Sequence, residues 1–302
     1  MQFPFSSPDL SNSALRLTAL WAGFLLALPA STQGQGGGIQ LSIAPLRVEY
    51  NLNPSSLQTE AIRISNDGDD PSHLAVTTND WTLSSGGTPD FLDPTAPPPD
   101  EFSCGSWITL NPAEFDLPPR GFQIVRFTIR VPAGVRPAGY RTAILFSTVP
   151  SPLQLTRDQK AIRTRVRLAT VVYVKIGNPE VRGTIAGMEL APGSPGPHDE
   201  PDKPTWEIRV PVRNEGTTYF RANGDVKLLG ENGQELDDFK IESQVVLPAS
   251  TRVFVFKHAG DLPPGSYGLT CTMDIGMPAV LQSERHLTIQ APAAPPEEQK
   301  RN

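Results

Sequence analysis

The sequence is short of cysteine and histidine and has no long apolar run, and each shortage removes a class of protein. Two cysteines in 302 residues, Cys104 and Cys271, cannot form a disulfide framework. They fall in different halves of the chain, and a bridge would need those halves to meet in space, so two separate buried thiols are expected. The four histidines, His73, His198, His258 and His286, have no metal-ligand spacing. No G-x-S-x-G occurs, and no glycine-rich turn links a strand to a helix as a phosphate cradle. Residues 66–70 (NDGDD) could attract calcium but do not fit an EF-hand loop and suit a hairpin turn. These shortages argue against catalysis, a metal, a cofactor or a small-molecule substrate. A formal charge of −6 leaves no electrostatic footprint for nucleic acid.

What is abundant is proline (32) and glycine (25), which cut the chain into short runs with no long amphipathic helix between them. That profile predicts an all-β protein. At the N-terminus Arg16 precedes the apolar run 17–28 (LTALWAGFLLAL) and the small residues Pro29, Ala30 and Ser31, the order of a secretory signal. The run is too short to span a bilayer comfortably, and no cysteine follows it to carry a lipid. An uncleaved anchor is the other reading of the same residues. Residues 1–34 are therefore assigned to a signal peptide and leader, and a periplasmic location is expected.

The chain is organised around residues 160–176, KAIRTRVRLATVVYVKI. Ile162, Thr164, Val166, Leu168, Thr170, Val172 and Val174 alternate with Arg163, Arg165 and Arg167 at its start, which is strand periodicity without a Gly or Pro break. The run exceeds the usual strand length, so part of it can project beyond its own sheet and pair with another chain. An ordinary core strand with a charged outer face is the competing reading. Before it, strands are expected at 39–50, kinked at Pro45, and at 57–65, 73–83, 106–110, 121–131 and 140–149. Residues 84–100 (SSGGTPDFLDPTAPPPD) read as irregular. Together these make one immunoglobulin-like sandwich over 35–177, closed by a short hinge at Gly177-Asn178-Pro179. A second set, at 181–190, 206–214, 221–229, 234–241, 251–257, 266–274 and 280–289, makes another over 178–290. Its Pro263-Pro264-Gly265 before Tyr267 repeats the placement of Pro137, Gly139 and Tyr140. Residues 291–302, rich in Pro and charge, are expected to be disordered. Trp81, Trp107 and Trp206 are read as core or inter-sheet packing. Cys104-Gly105-Ser106-Trp107 shares letters with a papain-type nucleophile stretch but lacks its second cysteine and precedes a strand, not a helix.

The order of Leu46-Arg47-Val48 in the first strand, 118–126 (PPRGFQIVR), Tyr140-Arg141 leading into 144–150, and the long alternating strand resembles the periplasmic chaperones of the chaperone-usher pilus pathway, the PapD-like family, over about residues 39–290. The resemblance implies two sandwiches around a cleft and a strand lent to a pilin-like secreted subunit, a form of β-augmentation, with an outer-membrane usher as a further partner. It implies client-facing side chains at Ile162, Thr164, Val166, Leu168, Thr170 and Val172. Arg47 matches the arginine that anchors the client's terminal carboxylate, a role suited to a guanidinium fork. The family pairs that arginine with a lysine on the long strand; here the matching face carries Tyr173, with Lys175 two residues on. A structural envelope or surface protein built of the same two domains is the alternative of a different class.

Overall fold

The computed structural model describes residues 40–149, 165–193 and 204–290. The expected signal segment, the expected tail, and positions 160–164 with Ile162 and Thr164 lie outside the described residues.

The first sandwich is built from β1 (Leu41–Ala44), β2 (Arg47–Leu52), β3 (Leu57–Asn66), β4 (Ser72–Asn79), β5 (Trp81–Leu83), β6 (Pro89–Phe91), β7 (Ile108–Asn111), β8 (Glu114–Leu117), β9 (Phe122–Arg130), β10 (Ala138–Thr148) and β11 (Arg167–Ile176). One sheet has the order β1-β3-β9-β7 and the facing sheet β2-β11-β10-β4-β8. The proline expected to kink the first strand divides it between the two. Before Pro45 the chain pairs antiparallel with β3, and after it β2 runs parallel to β11 in the opposite sheet. Alternation on β3, β9 and β11 sends Ile62, Ile64, Val125, Phe127, Ile129, Val172 and Val174 into one core with Leu74, Ile144 and Phe146, all almost fully buried. β10 is buried on both faces over nearly its whole length, which explains why its sequence is strongly apolar and why its polar residues Arg141, Thr142 and Thr148 are buried with it.

The second sandwich contains β12 (Gly183–Ile185), β13 (Glu189–Pro192), β14 (Thr205–Asn214), β15 (Phe220–Leu229), β16 (Glu235–Val246), β17 (Thr251–Ala259), β18 (Gly265–Asp274) and β19 (Leu281–Ile289). β14 pairs with β12 and β13 on one side and β17 on the other, and the facing sheet runs β16-β15-β18-β19. Ile208, Val210, Val226, Leu228 and Leu269 form its core. The repeated Pro-Gly-Tyr signal has a common structure. Tyr140 donates its hydroxyl to the Arg136 carbonyl at 3.1 Å, and Tyr267 donates to Pro263 at 2.7 Å, so each sandwich carries a tyrosine corner four residues deep.

Four expectations change. The single strand expected at 73–83 is divided into β4, in the five-stranded sheet, and β5, which pairs with β6 alone. The single strand expected at 181–190 is two, β12 and β13, pairing with successive stretches of β14. Residues 111–120, left between the strands expected at 106–110 and 121–131, contain β8, which covers the β4 edge. Residues 84–100, read as irregular, contain β6, which pairs with β5 so that Phe91 sits opposite Trp81. Proline and glycine density concealed a strap whose anchors include Phe91, the Leu92 backbone, which bonds the Asp80 carbonyl and the Asn79 side chain, and one acid, Asp100. Asp100 accepts from Nη2 of the buried Arg141 at 2.7 Å and from Nη1 at 3.3 Å.

Candidate functional site

β11 is ten residues long but is flanked on both sides for only part of that length. Its antiparallel ladder with β10 spans Arg167 to Ile176, whereas the parallel ladder with β2 begins at Val171 opposite Arg47. The last contacts on the β2 side are the Val171 amide donating to the Leu46 carbonyl at 2.9 Å and the Thr170 hydroxyl donating to the Pro45 carbonyl at 2.7 Å. Beyond them, among the described residues, Arg167 to Ala169 have no ladder partner on that side, because β1 has crossed to the other sheet.

The side chains expected to face a client divide accordingly. Thr170 and Val172 are fully buried in the sandwich's own fold, so they have no surface to offer. Leu168 packs half-buried against the core, and Val166 is half-buried just before the strand begins. Val166 still bonds β10, its carbonyl accepting from the Thr148 amide and its amide donating to the Thr148 hydroxyl, both at 3.0 Å. The unpaired edge and the half-buried apolar positions therefore coincide at residues 166–169.

Register also defines the outer face of this sheet. Arg141, Tyr173 and Glu49 stand in one row across β10, β11 and β2, and Ala143, Val171 and Arg47 in the next. Tyr173, expected beside Arg47 as a donor to a client carboxylate, is instead buried in an aromatic stack. It meets Trp81 edge-on with centroids 6.0 Å apart, and Tyr219 of the second sandwich at 4.3 Å. Ala143, Leu145 and Leu247 complete this cluster. Each aromatic pair contributes about 0.5–1.5 kcal/mol beyond the area it buries. Trp81 thus serves as interdomain packing, while Trp107 lies 4.6 Å from Tyr140 against the first core and Trp206 packs against the second. Lys175 places its Nζ 5.0 Å over the Tyr219 ring.

Both sandwiches lie within one compact unit, so these contacts belong to the fold itself. The backbone approaches closely where the Gly139 amide donates to the Thr217 carbonyl at 2.9 Å, leaving no room for a Cβ at Gly139. The strap contributes a second tie, its Ser85 carbonyl accepting from the Val253 amide of β17 at 2.7 Å. The sandwiches are therefore joined by direct contacts as well as by the chain through the expected hinge at 177–179.

At the rim of this interface Arg47 begins β2, about half exposed, with its Nε 3.3 Å from Glu49. Glu49 also accepts from Arg221 Nη2 at 2.6 Å and from the Tyr219 hydroxyl at 3.4 Å. Burial pushes the Tyr219 hydroxyl well above the ordinary phenol range and raises that of Tyr173, so Tyr219 remains a protonated donor. Glu49, Tyr219 and Arg221 were not singled out by sequence. Glu49 lies two residues after Arg47 on the same face and could have been paired with it; nothing local points to Tyr219 or Arg221. The two cysteines are free and buried, as expected; burial pushes the Cys271 thiol up to about 11 and Cys104 further, which leaves both unreactive.

No family profile matches the chain, and no curated protein matches it. Solved structures similar to it include the class 5 fimbriae chaperone CfaA, at 12% identity over 84% of this chain and 100% of that one, with a TM-score of 0.42. The E. coli chaperone DraB matches at 16% identity over 83% and 96%, with a TM-score of 0.39. The Salmonella enterica SafA pilin in complex with the SafB chaperone matches at 12% over 83% and 97%, with a TM-score of 0.38.

Proposed function

We propose that this protein is a chaperone of the pilus-assembly type that holds a secreted, pilin-like subunit by strand addition at the start of β11. The observation that carries this reading is the edge before Val171, hydrogen-bonded to β10 on one side and without a ladder partner on the other. Exposed edges of this kind are normally blunted or covered, and one left open beside half-buried apolar side chains suits a partner strand. Backbone bonds along 166–169 supply affinity, and Val166 and Leu168 fill client pockets, with Ile162 and Thr164 continuing the alternation upstream. Thr170 and Val172 act by holding this edge to the core. Arg47, with Lys175 nearby, anchors a carboxylate of the client, and the site works in the periplasm alongside an usher. The role asks for binding only; no bond is made or broken.

Strand addition makes the Arg167 and Ala169 amides, which alternate with the β10-bonded Val166 and share the side of the Val171 amide, donors to a client backbone. Hydrogen exchange on the protein with and without a co-expressed secreted pilin-like subunit should show new protection there, and Leu168→Glu should abolish capture while circular dichroism stays native. Capture that survives Leu168→Glu in a folded protein, or protection confined to the second sandwich, would refute edge donation and favour a structural envelope protein.

A further inference from the structure

We infer that Glu49 is an internal carboxylate occupying a receptor that an incoming carboxylate must take over, and that it sets the threshold for binding at the interdomain rim. The inference rests on the reading of Arg47 as an anion anchor and adds what already fills that site. Three groups converge on the Glu49 carboxylate: Arg221 Nη2 donates to one oxygen at 2.6 Å, Arg47 Nε forms an ion pair with the same oxygen at 3.3 Å, and the Tyr219 hydroxyl donates to the other at 3.4 Å. Two of the three come from the second sandwich, so the receptor exists only when both sandwiches are in place.

The two donors from the second sandwich are held by contacts that do not involve Glu49. The Tyr219 ring is 3% exposed and packs 4.3 Å from Tyr173, and the Arg221 guanidinium lies 5.5 Å over the Tyr173 ring. Removing the Glu49 charge therefore leaves a formed site and not a collapsed one. The site is also reachable. The Glu49 side chain is 38% exposed and borders a groove of about 300 Å³ lined by Lys175, Arg221, Asn223 and Asp274. Cationic charge is in excess there. Arg47, Arg221 and Lys175 face Glu49 and the Asp274 of the groove wall, and no ion pair engages Lys175 among the described residues. Glu49 is tethered two residues from Arg47, so it competes as an intramolecular ligand at high effective concentration. An external carboxylate sees only the fraction of molecules in which Glu49 has swung out.

The test uses N-acetyl-trialanine with a free C-terminal carboxylate as probe, its C-terminal amide as control, and NMR shift changes at Arg221 and Lys175 as readout on the folded two-domain protein. Glu49→Gln, which keeps shape and removes charge, should bind the free acid at least about tenfold more tightly than wild type. The amide should bind neither, and adding Arg221→Met should cancel the gain. Glu49→Asp serves as a second variant that retains charge with a shorter reach and should fall between the two. An unchanged affinity in a folded Glu49→Gln, or equal binding of acid and amide, would overturn the inference. Because the probe is a small carboxylate and not a client, a protein that captures no subunit yet shows the gain would sink the chaperone reading alone; capture with no gain would sink this inference alone.

Discussion

Neutralising Asp100 should loosen the strap and lower the stability of the whole first sandwich. The Arg141 side chain is 4% exposed and its Nε has no hydrogen-bond partner, so the two bonds to Asp100 and the Trp81 ring, 5.7 Å away, are what compensate its charge. In Asp100→Asn the guanidinium stays buried while its counter-charge is lost. Breaking a buried pair in this way costs 3–5 kcal/mol; Asp100 keeps 28% exposure, which admits some water and puts the loss at the low end, about 3 kcal/mol. For a protein of this size that lowers Tm by about 6–12 °C. Thermal melts followed by circular dichroism at neutral pH would measure it. The companion Asp100→Asn/Arg141→Leu removes the orphaned cation and should recover most of the loss, as replacing both members of a buried pair commonly does. A drop below about 1 kcal/mol in the single variant, or a double variant no better than the single, would refute the view that a compensated charge holds the strap.

Val172→Glu places a carboxylate in the core and should unfold the protein, a loss above about 4 kcal/mol, whereas Val166→Glu should leave the melt nearly unchanged and remove client capture; denaturant titration beside a binding assay separates the two. Gly139→Ala puts a Cβ about 2.0 Å from the Thr218 hydroxyl and 3.0 Å from its Cα, and should cost about 1–3 kcal/mol by overpacking, read from the urea midpoint. Tyr140→Phe and Tyr267→Phe should each cost about 1 kcal/mol and add in the double variant, since the corners lie in separate sandwiches. His73 bonds Glu114 at 2.7 Å and Asp116 at 2.8 Å, which raises its pKa above the usual histidine value. Its stabilisation of the β4–β8 edge is thus full below about pH 6.5 and fades as pH rises through the raised value. An NMR titration should find that midpoint lowered in Glu114→Gln.

Much of the frame was legible because it is written in local periodicity. The alternation of residues 160–176 identified β11, Pro45 marked where the first strand breaks, and the Pro-Gly-Tyr repeat pointed to two related sandwiches that share a corner hydrogen bond. The same alternation could not say where the strand stops being core. Val166, Leu168, Thr170 and Val172 look alike in sequence, and only the point at which β2 joins the ladder separates the half-buried pair from the fully buried one. The strap was invisible because residues rich in Pro and Gly signal turns, while its structure depends on Arg141, 41 positions beyond Asp100. The filled receptor was out of reach for the same reason, since Glu49 and Arg221 are 172 residues apart.

The bond from Thr170 to Pro45 joins residues 125 positions apart, and it bears on the order in which the molecule is made. A chain formed N-terminus first completes β2 long before β11 exists, so the sheet that needs both stays open until residues near 176 are available. Closure of that sheet and creation of the unpaired edge are then one event, since the strand that docks last is the strand whose first residues are left over. A molecule caught before closure lacks that edge, and under the proposed strand addition the capacity to take a client is thereby tied to completion of the first sandwich.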